Sequence, residues 1–210
     1  MKGLFLKEWY QCIAYGRTLL LASGVMFVVA AVQLYSGEGS GEFMIYACFL
    51  LGVSPMTLLS YDSAEGWTEY SLTFPVSRTA LVSSKYIVGL CCTALSSAAA
   101  AILLALFGDG LDRGYAVLLL IESTIVPLVS NSLLLPLSYR FGTHKARYFY
   151  FVFIAFFAGL LGFSSAGSSP LNHAIAHLTP AVTIPVLLIV LLVYGLSWKL
   201  SAAWYGRATD

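Results

Sequence analysis

Six apolar runs organise the chain, at residues 18–35, 43–60, 86–107, 115–138, 148–165 and 181–201. Each is close to the ~20 residues needed to cross about 30 Å of hydrocarbon. An open strand edge has no hydrogen-bond partner in lipid, so the runs predict helices. One polar interval between them is unusually long: SYDSAEGWTEYSLTFPVSRTALVSSK, residues 60–85. It exceeds a turn and has too few core residues for a domain. Its local signals divide it. Asp62 or Ser63 suits an N-cap, Glu65 falls in the first turn where the helix dipole favours an acid, and Pro75 stops the element, so a short helix is predicted over 63–73. Glu65 and Glu69 share a face near Trp67. Ser77 then caps a second helix, which Arg78 to Lys85 feed into the third run. An acidic, aromatic helix held just beneath the membrane, braced by a turn and by a spanning helix, suits the transmission of force from a partner. The alternative is a connector resting on lipid, although an anionic leaflet repels Glu65 and Glu69.

The first seventeen residues predict an amphipathic helix along the membrane surface. Phe5, Trp9, Cys12 and Ile13 fall on one face, and Lys7, Gln11 and Arg17 mark a polar side. An irregular tail is the alternative. Glu8, Gln11 and Arg17 interrupt any signal-peptide core, so the first run is expected to be an uncleaved anchor.

Composition turns these runs into a class. The chain has 210 residues, 59% hydrophobic and 10% charged, with mean hydropathy +0.84. A soluble domain has roughly a quarter of its residues charged, so this is a membrane protein with no separate soluble domain. A net charge of +1 offers nothing to a nucleic acid. Cys12, Cys48, Cys91 and Cys92 form no CxxC and read as small hydrophobes.

Charge sets orientation. With the N-terminus inside, Lys2, Lys7, Arg17, Arg78, Lys85, Arg140, Lys145, Arg147, Lys199 and Arg207 all fall on the cytoplasmic side. Only Arg113 falls outside. This positive-inside asymmetry predicts an even number of spans with both termini cytoplasmic.

Other residues carry weaker signals. Glu122 falls about 10 Å into the fourth run, where an acid is a functional hypothesis by default. It serves either a proton or substrate path or a structural hydrogen bond, with Arg113 as a partner if the helix start extends. Pro127 and Pro136 are expected to kink that helix, and Asn131 between them to satisfy the freed backbone groups. In the loop YRFGTHKARY, Gly142 suits a left-handed position and Thr143 a cap. Its Arg140, His144, Lys145 and Arg147 either anchor to headgroups or touch a partner. His173 and His177 are four apart, but no third ligand accompanies them. Ser169-Pro170 instead starts a short helix in a re-entrant outer loop over 166–180. No P-loop, G-x-S-x-G or H-E-x-x-H is present in the sequence.

Two stretches carry a family resemblance: SPMTLLSYDSAEGWTEYSLTFPVSRTALVSSKY, residues 54–86, and PLSYRFGTHKARY, residues 136–148. With the layout around them, the chain resembles permease subunits of bacterial ABC-2 type exporters, especially the short six-span group that includes phenol-soluble-modulin exporters. The resemblance implies an all-α polytopic protein over 1–210. Its parts would be an interfacial connecting helix at 1–17, a coupling loop at 61–85, six spans and the outer re-entrant loop, in a bacterial cytoplasmic membrane.

The resemblance further implies a dimer with a second copy or a paralogue, seated on separate ABC ATP-binding subunits that hold ATP and Mg. The chain itself would have no catalytic residue and no metal. Carried onto this sequence, Asp62, Glu65, Trp67 and Glu69 would contact the ATPase. The family pattern has an acid where this chain has His144, so no ion pair is carried over there. Phe49, Met56, Phe153 and Phe157, with Glu122, are candidates for the pathway of an amphipathic or lipophilic cargo. The alternative function is a stand-alone proton-coupled transporter or channel using Glu122.

Overall fold

Proline, glycine and serine positions decide how the apolar runs become helices. In a computed structural model, which describes residues 2–37, 41–71, 73–108, 110–111, 113–165 and 180–208, the described residues form helices and no strands. Helix α1 (Lys2–Tyr15) leads through Gly16 into α2 (Arg17–Ser36). Next come α3 (Glu42–Gly52) and α4 (Ser54–Ala64), the short α5 (Trp67–Ser71), then α6 (Arg78–Phe107), α7 (Arg113–Phe141), α8 (Thr143–Ser165) and α9 (Pro180–Ala208).

Five helical stretches among the described residues are long and apolar enough to cross a membrane: Arg17–Ser36, Glu42–Ala64, Arg78–Phe107, Arg113–Phe141 and Pro185–Tyr205. They coincide with five of the six predicted runs. The remaining run, 148–165, falls on the 23-residue α8, which is not among the five. The predicted re-entrant loop, with His173 and His177, lies outside the described residues.

α3 and α4 are one span interrupted at a single residue, Val53. Pro55 has no N–H for the carbonyl of Leu51, and the Val53 N–H closes α3 on the Phe49 carbonyl at 3.1 Å. α7 runs through both Pro127 and Pro136. Pro136 deprives the Ser132 carbonyl of its helical donor, and Ser197 Oγ of α9 takes its place at 2.7 Å. Having donated there, Ser197 Oγ accepts from the Tyr86 hydroxyl at 2.7 Å, and that hydroxyl accepts from Ser201 at 2.7 Å. Tyr194 OH donates to the Tyr86 carbonyl at 2.8 Å. This chain of hydroxyls ties α6, α7 and α9 together. It also corrects the expectation for Asn131, whose amide serves no freed carbonyl: it is 1% exposed and has no hydrogen-bond partner among the described residues.

Ser197→Ala strips a donor from a buried carbonyl, so it should cost about 1–2 kcal/mol. Thermal unfolding in detergent measures this, and an unchanged Tm would mean that another group serves Ser132.

Packing divides the interior. Toward one end, Ala30, Leu34, Met44, Ile45, Cys48, Ala100, Leu103 and Leu119 pack α2, α3, α6 and α7 together. Toward the other, Val82, Tyr86, Leu128, Leu135, Tyr194 and Tyr205 join α6, α7 and α9. A third cluster of Phe49, Val53, Met56, Leu134 and Ala146 seats the start of α8 on span two. Leu21, Val25, Val28 and Val32, spaced along one face of α2, are exposed, as a lipid-facing stripe must be.

Candidate functional site

The basic end of the molecule holds the features that the polar interval foreshadowed. α4 carries span two down to Ala64, and the Glu65 N–H closes the helix on the Tyr61 carbonyl at 2.9 Å. Gly66 then turns the chain with φ +71°, a left-handed conformation that glycine adopts without a side-chain penalty. α5 follows at once. Its Trp67 and Tyr70 cluster with Phe74, with Tyr70 and Phe74 edge to face at 5.0 Å. Glu65, Tyr70 and Phe74 are exposed and Trp67 half-buried. Ser77 then accepts from the Ala80 N–H at 3.3 Å and starts α6 as expected.

Above α5 lies a buried quartet of charges. Asp62 accepts from Lys7 at 2.5 Å, from Gln11 at 2.7 Å and pairs with Lys85 at 2.5 Å. Lys85 also donates to Glu8 at 2.6 Å, and Lys7 lies 3.4 Å from Glu8. Glu8, Asp62 and Lys85 are at most 3% exposed. Two ammonium groups and two carboxylates sum to zero, which is how such burial becomes tolerable. The quartet binds α1, the end of α4 and the start of α6 into one unit. Lys7 also sits 4.6 Å from the centroid of the Trp67 ring, so the same charge that pairs Asp62 holds the first side chain of α5. A cavity of about 30 Å³ beside the quartet touches Glu8, Asp62, Trp67, Lys85, Tyr139 and Tyr205, room enough for an ordered water.

α1 is therefore amphipathic in an inverted sense. Its polar side, Glu8 and Gln11, faces protein, while Phe5, Trp9, Tyr10 and Ile13 are exposed. Tyr15 stacks on Tyr61 with centroids 4.6 Å apart, and its hydrogen bond to Glu65 raises the phenol above its ordinary pKa. The Cys12 thiol is pushed up by the neighbouring Cys92 thiol and then by burial. It stays uncharged, in keeping with its reading as a small hydrophobe.

Two expectations are corrected here. The short helix spans Trp67–Ser71, not 63–73. Asp62 is neither its cap nor an exposed contact: it belongs to α4 and is buried in the quartet. The reason is that three donors inside the protein outcompete solvent for its carboxylate. The sequence reading used Glu8 only as a break in any signal-peptide core, and treated Lys7, Gln11 and Lys85 only as polar or positive-inside residues. Acids and bases sitting beside otherwise apolar helices were the signal available. The Glu69 side chain lies outside the described residues.

At the second loop, Gly142 has φ +80°, as the sequence predicts, while Thr143, expected as a cap, is already the first residue of α8. Arg140 lies over the Trp204 ring at 4.8 Å and the Phe141 ring at 5.2 Å. Lys145 is exposed. The side chains of His144 and Arg147 lie outside the described residues.

Of the pathway candidates, Phe49, Met56 and Phe153 come together. Phe49 stacks on Phe153 at 6.0 Å and on Tyr150 at 6.5 Å, and Met56 shares their cluster. Next to it, a cavity of about 430 Å³ opens between α4 and α8, lined by Met56, Thr57, Ser60, Tyr61, Tyr150 and Phe151 among others. Glu122 is half-buried on α7 and does not line this cavity. No ion pair joins it to Arg113 among the described residues. The Phe157 side chain lies outside the described residues.

A family model described as "ABC-2 family transporter protein" matches residues 3–206. The chain belongs to the ABC-2 transporter family. Among curated proteins none matches it. Membership makes this ABC-2 chain a multi-pass membrane subunit of an ABC transporter, a class that carries transport rather than catalysis and works with ATP-binding subunits. The match runs from the second residue of α1 nearly to the end of α9, so α1 and the quartet fall inside the family unit.

Proposed function

We propose that this chain is the permease of an ATP-driven exporter of the phenol-soluble-modulin type. It would move amphipathic peptides or other lipophilic cargo out of a bacterial cell. In this reading α8 completes six spans, both termini are cytoplasmic, and α5 with Glu65 docks on the separate ATP-binding subunit, where ATP and Mg reside. A second copy or a paralogue completes a dimeric pathway. The observation that carries the reading is the attachment of α5. Its surface residues Glu65, Tyr70 and Phe74 face outward, while the quartet ties its root to α1, span two and span three. A push on α5 therefore reaches three membrane elements at once. Among the described residues the aromatic cavity between α4 and α8 has no charged lining side chain, which suits an amphipathic cargo better than an ionic one. Arg140, Lys145 and Arg147 form a second cytoplasmic contact.

The test is co-purification from detergent with the ATP-binding subunit encoded beside it. Glu65→Arg/Tyr70→Ala should weaken the complex by about 2 kcal/mol, the scale of an interface hot spot, while the exposed contacts it removes, Glu65 with Tyr15 and Tyr70 with Phe74, lower the permease Tm only slightly. Tyr70 serves better than Trp67 here, because truncating Trp67 also removes the ring under Lys7. If the double variant retains the ATPase like wild type, α5 is not the dock. If wild type retains none while vesicles move cargo without ATP, the stand-alone transporter using Glu122 takes over.

A further inference from the structure

The interruption of span two at Val53 does not stand alone. Opposite it, Pro127 leaves the Ser123 carbonyl of α7 without its helical donor, and the two weak points touch. A Cβ placed on Gly52 would stand 2.2 Å from Pro127 Cβ and 2.9 Å from its Cα. One turn beyond Pro127 is Asn131, fully buried, with both Nδ2 and Oδ1 unpaired among the described residues. Gly89 of α6 closes the group. A Cβ there would lie 3.2 Å from Asn131 Nδ2, 3.2 Å from Pro55 Cγ and 2.9 Å from Tyr194 Oη. So an interrupted helix, a proline-opened helix and a glycine of a third helix meet at one amide that bonds nothing. A buried amide without partners is disfavoured, most of all at membrane depth. Local rules broken together at one place are expected where function requires it.

Below this crossing everything is tied together. α4 continues through Glu65 and Gly66 into α5, and the quartet fastens both to α1 and to Lys85, one turn before Gly89 on α6. We propose that the Gly52–Pro127–Asn131 crossing is the joint about which this block swings during transport. In the swung state the Asn131 amide pairs with the backbone that Pro55 leaves open. The unpaired amide biases the resting state toward movement and keeps the barrier low. The proposal rests on the reading of α5 as the dock, and adds where its motion is hinged.

The test uses full-length permease with its ATP-binding subunit in lipid nanodiscs. Asn131→Leu is close in volume and needs no partner. It should raise Tm, leave ATPase retention unchanged and lower the ATP hydrolysis rate of the complex about tenfold, the 1.4 kcal/mol scale of one lost buried hydrogen bond. Pro55→Ala, which restores an N–H to Leu51, should act in the same direction. Nitroxides on cysteines at the exposed positions 63 and 35, with the exposed native Cys91 replaced by Ser, should change separation on adding ATP in the parent, and hold it fixed in either variant. A lowered Tm in Asn131→Leu would show that the amide already has a partner, such as a bound water, and overturns the joint with no ATPase needed. Unchanged hydrolysis in both variants overturns it as well. Loss of ATPase retention by the parent itself strikes the docking reading instead.

Discussion

Lys85→Met should destabilise the protein by about 3–5 kcal/mol, because it leaves a buried acid without compensation. Lys85 is the member of the quartet that reaches both carboxylates, Glu8 at 2.6 Å and Asp62 at 2.5 Å. Without it a single ammonium, Lys7, faces two carboxylates, and Glu8 is 3.4 Å from it. Gln11 offers Asp62 a hydrogen bond but no charge. Adding Glu8→Gln to Lys85→Met restores neutrality between Lys7 and Asp62, so the double variant should be more stable than Lys85→Met alone. The check is a double-mutant cycle on Tm in detergent. A coupling energy near zero would mean that water solvates the quartet, and that α1 is held by packing alone. Co-purification of the ATP-binding subunit should fall with Lys85→Met even though Lys85 is buried, since α5 loses its anchorage.

Gly52→Ala is expected to cost about 3 kcal/mol, the upper end of overpacking, because what the new methyl meets is a proline ring and its Cα rather than a movable side-chain tip. The distances, 2.2 and 2.9 Å, leave no room without parting α3 from α7. Gly24→Ala in α2 is the control. Nothing lies within 4 Å of its added Cβ, so helix propensity should give a gain of roughly 0.5–1 kcal/mol. Thermal unfolding of the two variants side by side reads the difference. Equal Tm values would mean that the helices cross further apart than described here.

The spans were legible because crossing lipid demands a long apolar run whatever the neighbours are. The run 86–107 marks α6 to its last residue, although the helix starts earlier, at Arg78. Local rules also carried Ser77, Gly142 and the stop near Pro75, each of which depends on a few adjacent residues. Asp62 was misread for the opposite reason. A capping signal is local, while its partners Lys7 and Lys85 lie 55 and 23 residues away, and pairing across that distance leaves no periodicity. Asn131 was misassigned in the same way. The carbonyl it was expected to serve found Ser197, on a helix 65 residues further on. Phe49, Met56 and Phe153 share one cluster, though they come from two apolar runs about a hundred residues apart, and no local pattern announces that meeting.

The separation of Glu8 from Lys85 by 77 residues also sets an order of events during synthesis. Chains grow at about 5–20 residues per second, so Glu8 waits roughly 4–15 s for its cation to be made. Until then α1 has exposed aromatic residues on one side and the Glu8 carboxylate without Lys85 on the other, and the membrane surface suits both. It must rest there, polar side to water, while spans one and two insert. It then rolls that side inward when the third span arrives. The first helix made thus finds its place only once the third span has begun, and the quartet cannot be assembled on a chain that stops short of Lys85.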